Sequence, residues 1–371
     1  MIDDFLSRLQ NAGSEEERRW LALEFSLNSL MPGLREAVWV AAIPHWFDES
    51  FLAALLGEEG IARLEASGGL EELARLPFIE PFLGRGYNVH EHTRALLRSR
   101  LWRDEPDRFM ELSRRAEGYC RGQDPEDTGW GIERIYHLLL TDPNEGADQL
   151  QNTGWRWQNS PNFAFDKIEA MARTARELID EGTLNGRGRA WTLYWEGHLD
   201  AHYYRNQSAL EKLAEIDLPV ENDRYLAADR LSRLGDVERM QANYEAARAR
   251  YEAARPIYAA IGDRLGEANT IRSLGDVELR QANYEAARAR YEAARPIYAA
   301  IGARIGLANV SFNIAQIFLQ SGDLAASEPY LTEAVAIGNA ILPGHPVVAG
   351  WAEQLAALRA ELAGGGGSTG G

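Results

Sequence analysis

The residues best placed for chemistry are His198 and His202, one helical turn apart in "HLDAH". That spacing puts both imidazoles on one helix face, where they could share a metal ion. The glutamate of a zinc-protease motif is missing, because Leu199 and Asp200 follow the first histidine, and no third ligand can be named. The pair therefore predicts packing or surface placement. Cys120 is the only cysteine and has no histidine at a meaningful spacing, so no thiol nucleophile is expected. No serine sits in a Gly-x-Ser-x-Gly elbow. A phosphate-cradling loop needs glycines that end in a lysine. The two lysines, Lys167 in "AFDKIEA" and Lys212 in "LEKLAE", lie in helical patterns with no glycine loop before them. Carboxylates are many, but they ride on solvated helix faces, where charge is the default. The expectation is a chain with no catalytic residue, no metal and no cofactor.

The bulk numbers agree. At 371 residues the chain has room for two or three domains, and 45% hydrophobic with 26% charged residues is ordinary for a globular protein. A net charge of −17 argues against a nucleic-acid partner, whose binding rests on neutralising phosphates with Lys and Arg. A single cysteine excludes an intrachain disulfide and fits a reducing cytoplasm. The acidic opening "MIDDFLSRLQNAGSEEERRW" is no signal peptide, and no apolar run is long enough for a bilayer, so no membrane association is expected. The terminal "GGGGSTGG" (residues 364–371) reads as a flexible linker.

What positions the side chains is a repeat. "QANYEAARARYEAARPIYAAIG" at 241–262 returns letter for letter at 281–302, forty residues on. "LGDVE" recurs at the same offset, and a diverged third copy follows at Ser321–Ile341. A fixed period of this size marks stacked supersecondary units. Tyr244, Ala247, Tyr251, Ala254 and Tyr258 are spaced 3, 4, 3, 4, which makes one apolar stripe on a helix. Ala228, Leu231, Leu234 and Val237 give a similar stripe upstream, and "QAN" supplies the short turn between the two helices. Pro256 and Pro296 fall inside the second helix, where each removes a backbone bond and bends the axis. One such pair cannot bury its own stripe, so the copies must stabilise one another by stacking.

This pattern resembles the tetratricopeptide repeat. The residues that carry the likeness are Leu234, Gly235, Tyr244, Ala247, Tyr251 and Ala254, and their counterparts Leu274, Gly275, Tyr284, Ala287, Tyr291 and Ala294. Two features depart from the common form: the period is forty in place of thirty-four, and Glu238 and Glu278 stand where an aromatic is usual. The longer period and the Gly-His-Pro joint at 344–346 are similar to the kinesin light chain type. The resemblance implies a right-handed superhelix whose first helices line a groove for a protein or peptide. Its groove-facing residues would be Asp229, Arg233, Asp236, Asn269, Arg272, Asp276, Asn309, Phe312, Asn313 and Gln316.

Residues 32–105 read differently. "LREAVWVAAIP" and "DESFLAALLG" predict short helices, with Asp48 as an N-cap, and "LEELARL" predicts a third. "PFIEPFLGRGYNVHEH" predicts two short strands around a Gly-Arg-Gly turn, and "TRALLRSRL" a closing helix. That order describes a winged helix. DNA binding would be its familiar use, yet Pro32–Glu105 holds twelve acids against eight arginines, and the would-be recognition helix "GGLEELARL" is itself acidic.

From "ALEFSLNSLMPGLREAVWVAAIP" through "FDESFLAALL" to "VHE", this region resembles the winged-helix module of STAND-type (NB-ARC-like) signalling ATPases, several of them in bacterial defence. In that family a Met-His-Asp motif reads the bound nucleotide, and Val89, His90 and Glu91 would carry it over in degenerate form. His92 adds ambiguity, and a capping or buried histidine at a strand–helix joint is the plainer reading of His90. No ATPase is present in this sequence, so the resemblance implies an ATPase domain supplied in cis or in trans.

Residues 106–225 are helical by pattern and aromatic-rich, with breaks at "TDPNEG", "NSPN" and "GTLNGRG". Trp130, Trp155, Trp157, Trp191 and Trp195 are expected to pack between helices. The expected organisation is a leading helical segment (1–31), a winged helix (32–105), a bridge of degenerate repeats (106–225) and an array with its capping helix (226–363). The fold class is mainly all-α, and the expected function is a non-enzymatic sensor or scaffold. A transcription regulator that binds DNA through the winged helix is the alternative.

Overall fold

In the computed structural model, which describes residues 2–159 and 163–365, nearly all of the chain is helical. The end of the Gly/Ser-rich tail and most of the "NSPN" break lie outside the described residues. Two compact units divide at Trp195 and Glu196.

The first unit opens with α1 (Ile2–Asn11) and α2 (Glu15–Asn28). Ser14 caps α2 by accepting from the Glu17 amide at 3.1 Å, while the Glu17 carboxylate accepts from the Gly13 amide at 2.8 Å. Next come α3 (Pro32–Ala41), α4 (Glu49–Glu65), α5 (Gly69–Ala74), the strands β1 (Ile79–Phe82) and β2 (Gly86–Val89), and α6 (Glu91–Asp104). This is the expected order of helix, helix, helix, hairpin, helix. Asp48 caps α4 as expected, accepting from the Phe51 amide at 2.7 Å. The strands pair antiparallel with Ile79 opposite Val89 and Phe82 opposite Gly86, and Phe47 bridges to Tyr87 from outside them. Gly86 permits that bridge: its φ is +93°, and a Cβ there would lie 2.5 Å from the Phe47 carbonyl oxygen.

Then come α7 (Pro106–Arg121), α8 (Thr128–Thr141), α9 (Pro143–Gln158), α10 (Phe165–Asp180) and α11 (Gly186–His202). Pro106 and Pro143 start their helices at positions that need no amide donor. Trp191 and Trp195 are fully buried, and Trp155 meets Trp195 edge-on at 5.0 Å. Trp130, Trp155 and Trp157 are half-buried, so the tryptophans pack as expected. α11 runs through the division between the units.

The second unit continues with α12 (Asn206–Glu215) and then the pairs α13 (Arg224–Met240) with α14 (Tyr244–Ile261), α15 (Arg264–Arg280) with α16 (Tyr284–Ala300), and α17 (Arg304–Gln320) with α18 (Leu324–Ile341). α19 (Pro346–Gly365) packs on the last pair. The pairs stack, because their cores are shared. Ala247 and Tyr251 of α14 pack with Leu274 and Val277 of α15. Ile271 packs with Tyr291 and Tyr298 of its own pair and with Val310 and Ile314 of the next. Ala315, Leu331 and Val335 close on Leu355 and Leu358 of α19. The predicted stripe residues Ala247, Tyr251, Ala254 and Tyr258 are buried. The "QAN" turn is made with Ala242 and Ala282 at φ of 61° and 60°. Unit two is therefore an all-α helical-repeat array.

Candidate functional site

All ten groove residues expected from sequence fall on equivalent turns of α13, α15 and α17, and several serve the array's own packing as well as its surface. The Tyr251 hydroxyl donates to Asp236 at 2.8 Å, and Tyr291 does the same to Asp276 at 2.7 Å. Tyr258 donates to Asp229 at 3.0 Å and Tyr298 to Asn269 at 2.8 Å. α14 and α16 thus each present two buried phenols to two polar side chains of their first helices. The contacts fix the first-helix side chains in one rotamer. Burial, followed by the neighbouring aspartate charge, pushes Tyr251, Tyr258 and Tyr291 well above the ordinary phenol range. Tyr298 faces neutral Asn269, with Arg272 pulling against burial, and is pushed up only to about 12.

The third copy lacks this ladder, since Leu331 and Gly338 stand where the tyrosines would be. There Phe312 stacks on Trp351 of α19 at 4.8 Å, and Gln316 donates to Gln354 at 2.9 Å. Phe312 and Gln316 are thus spoken for by the chain's own last helix. Asn309 and Asn313 remain half-buried beside them. Asn313 also reaches the Tyr291 hydroxyl, which carries the polar contact across from one repeat to the next. Arg233 reaches Asp236 at 3.4 Å. Arg272 is half-buried with its Nε atom enclosed and unpartnered.

The degenerate Val-His-Glu segment sits at the joint between β2 and α6. Val89 is buried, and His90 and Glu91 are exposed. His90 stands at the N-cap position of α6, but its ring is exposed and makes no side-chain cap bond. Its carbonyl does the capping, accepting from the Arg94 amide at 2.9 Å. His90 lies 5.7 Å from His92, ring to ring. His198 is buried and His202 exposed, and no group of three metal-binding side chains occurs among the described residues. The Cys120 thiol is buried, and burial pushes it far above the ordinary thiol range, away from nucleophilic chemistry.

One constellation was missed by sequence reasoning. Arg94 and Arg98, one turn apart on α6, reach the end of α3 and the face of α10. Arg94 donates to the Pro44 carbonyl at 3.0 Å and to Glu177 at 2.8 Å, and Arg98 donates to the Ile43 carbonyl at 2.9 Å. Arg98 also grips Glu181 through two bonds of 2.9 and 3.0 Å. His45 joins Glu133 at 2.7 Å and Glu177 at 3.1 Å, and the Glu133 side chain has no exposure of note at 1%. Burial would raise Glu177, but His45 and Arg94 pull it down to about 2. The i, i+4 pair of arginines in "TRALLRSRL" was a signal, although its partners lie more than eighty residues away in sequence. The hairpin is tied down too: Arg85 bonds Asp127 and sits over the rings of Trp46 and Trp130, at 4.8 and 5.3 Å.

Among solved structures, BtubC (BKLC) from P. vanneervenii is 16% identical over 65% of this chain and 94% of that one, with a TM-score of 0.44. The apo form of RapI is 11% identical over 72% and 69%, with a TM-score of 0.49. A STAND protein with a tetratricopeptide repeat sensor from Pyrococcus horikoshii is 13% identical over 94% of this chain and 62% of its own, with a TM-score of 0.46. None of these likenesses bears on function. No curated protein matches the sequence. The model of the family described as tetratricopeptide repeat matches residues 226–300. That stretch, α13 to α16, is a tetratricopeptide-repeat region.

Proposed function

We propose that the array is a non-enzymatic binding surface for a polypeptide, presented on the first helices α13, α15 and α17. The observation that carries this reading is the tyrosine ladder. Buried phenols hold Asp229, Asp236, Asn269 and Asp276 in place from behind, and a preformed surface loses little freedom when it binds. No chemistry and no cofactor are needed for such capture.

In this reading the hairpin-bearing region 32–105 acts as a winged helix that relays occupancy to a STAND-type ATPase in cis or in trans, and exposed His90 is the residue that would meet a nucleotide phosphate. The alternative, a DNA-binding regulator, is disfavoured by the region's acidic excess and by the hairpin's attachment to Asp127 and Trp130. A gel-shift titration at low salt that produced a DNA complex would reinstate it.

The direct test selects a random displayed-peptide library against the full chain and measures the enriched peptides by fluorescence anisotropy. The Asn269→Ala/Asn309→Ala variant should bind them at least about fivefold more weakly, the loss of one hydrogen bond to a peptide being worth about 1 kcal/mol. Enriched peptides that bind this variant unchanged would place the site elsewhere.

A further inference from the structure

The joint between the second and third repeats differs in charge from the joint before it. A cavity of about 330 Å³ opens there, lined by Leu265, Asn269, Arg272, Tyr298, Arg304 and Ile305 among others. Its lining holds two arginines and no acid. Neither arginine makes an ion pair among the described residues, and the Arg272 Nε atom is enclosed without a hydrogen-bond partner. The Asn269 oxygen offers them no relief, because it already accepts from Tyr298. The rim is apolar: Leu265 is 48% exposed and Ile305 58%.

Forty residues earlier the same places read differently. Asn269, Arg272 and Ala303 correspond to Asp229, Ser232 and Asp263, while Arg304 corresponds to Arg264. Arg264 is paired with Glu267. The earlier joint therefore carries two carboxylates where the later one carries none. The second helices on either side are identical over the duplicated block, whereas the first helices differ at these positions and at others, Arg230 against Thr270 and Arg239 against Leu279 among them.

We propose that the cavity at the α15–α17 joint is a site for an acidic side chain of a bound polypeptide, with Arg272 and Arg304 taking the carboxylate and Leu265 and Ile305 the aliphatic residue beside it. This deepens the reading above and rests on it. A partly enclosed guanidinium supplies several fixed donors that match a carboxylate, and the missing partner is the group it lacks. The earlier joint, with Asp229 and Asp263, repels the same residue. The array therefore has an acid-accepting end and an acid-rejecting end, which sets the direction of the bound segment.

The test uses the full chain and the peptides enriched from the random displayed library. Each is labelled, and its Kd is compared between the native chain, Arg272→Gln/Arg304→Gln, and Arg280→Gln as a charge-loss control outside the cavity. Each peptide is also made with its Asp or Glu changed to Asn or Gln. The enriched peptides should carry Asp or Glu beside Leu, Ile or Val. Neutralising either side should weaken binding about tenfold or more, with no further loss when both are neutralised, and Arg280→Gln should leave Kd within about twofold. Circular dichroism of the double variant confirms its fold. Peptides that bind the double variant with unchanged Kd, or tolerate neutralisation of their acid, overturn this site and leave the binding function standing. A library that enriches nothing overturns both.

Discussion

A Cβ on Gly235 would lie 2.7 Å from the ring of Tyr251, and a Cβ on Gly275 would lie 2.7 Å from that of Tyr291. The third copy has Ala315 and Leu331 at these places, both fully buried. Glycine with tyrosine and alanine with leucine are thus two ways of filling one joint between paired helices. Gly235→Ala should overpack it and cost about 1–3 kcal/mol in a urea melt. Combined with Tyr251→Leu, it should cost clearly less than the sum of the single changes, because the smaller ring site accepts the methyl group. Simple additivity would mean that the two positions do not share a joint.

Ala242 and Ala282 sit in the left-handed region at φ of 61° and 60°, where the third copy has Gly322 at 78°. A Cβ there costs about 1–2 kcal/mol, part of which glycine loses again through the entropy of the unfolded chain. Ala242→Gly should therefore stabilise the array by about 0.5–1 kcal/mol, read as a higher urea midpoint with an unchanged slope. A lower midpoint would show that the turn does not hold that conformation in solution.

Arg98 has a fully buried side chain, and its Glu181 partner is 18% exposed. Arg98→Ala leaves Glu181 and the Ile43 carbonyl without their donor and should cost about 3–5 kcal/mol. Arg98→Met with Glu181→Leu should recover most of that loss, since removing both charges avoids stranding one. Thermal melts of the three variants decide the point, and a double variant as unstable as Arg98→Ala would contradict it.

His45 gives a pH dependence of definite sign. Burial and the charge of Arg94 lower its pKa, but Glu133 and Glu177 outweigh them and hold it above the ordinary value of 6.5. The groups packed around it are Glu133, His137 and Tyr136 of α8, Glu177 of α10 and Arg94 of α6. A raised folded pKa stabilises fully below the unfolded value and is lost as pH rises through the folded value. Unit one should therefore lose stability above pH 6.5, by about 1.4 kcal/mol for each pH unit that separates the folded pKa from the unfolded one. His137, lowered by burial against the pull of Glu133, acts oppositely and only as pH falls below 6.5. In His45→Gln the alkaline loss should vanish, with the melting temperature level from neutral to mildly alkaline pH. An identical alkaline slope in the variant would assign it to another group.

The repeat, the helix pairs and the hairpin were legible because they depend on local pattern: a period of forty, stripes at helical spacing, glycines at a turn and Asp48 before a helix. The tyrosine stripe was legible as packing, but its hydroxyls were not, because a periodicity does not say where the polar end of a buried ring points. Arg94 and Arg98 were hidden for a different reason. Their partners Glu177 and Glu181 lie across a long loop closure, and no spacing in the sequence records it. The Phe312 contact was hidden by the last helix, since a residue that reads as groove-facing is covered once α19 supplies Trp351.

The central claim, that the first helices hold another polypeptide, is tested most directly by photo-crosslinking. An enriched peptide carrying a photoreactive group is irradiated with the full chain, and the crosslinked residues are located by mass spectrometry. The adducts should fall on α13, α15 and α17, near Arg233, Arg272 and Asn309. Adducts confined to α14, α16 and α18, or to residues before Glu196, would contradict it.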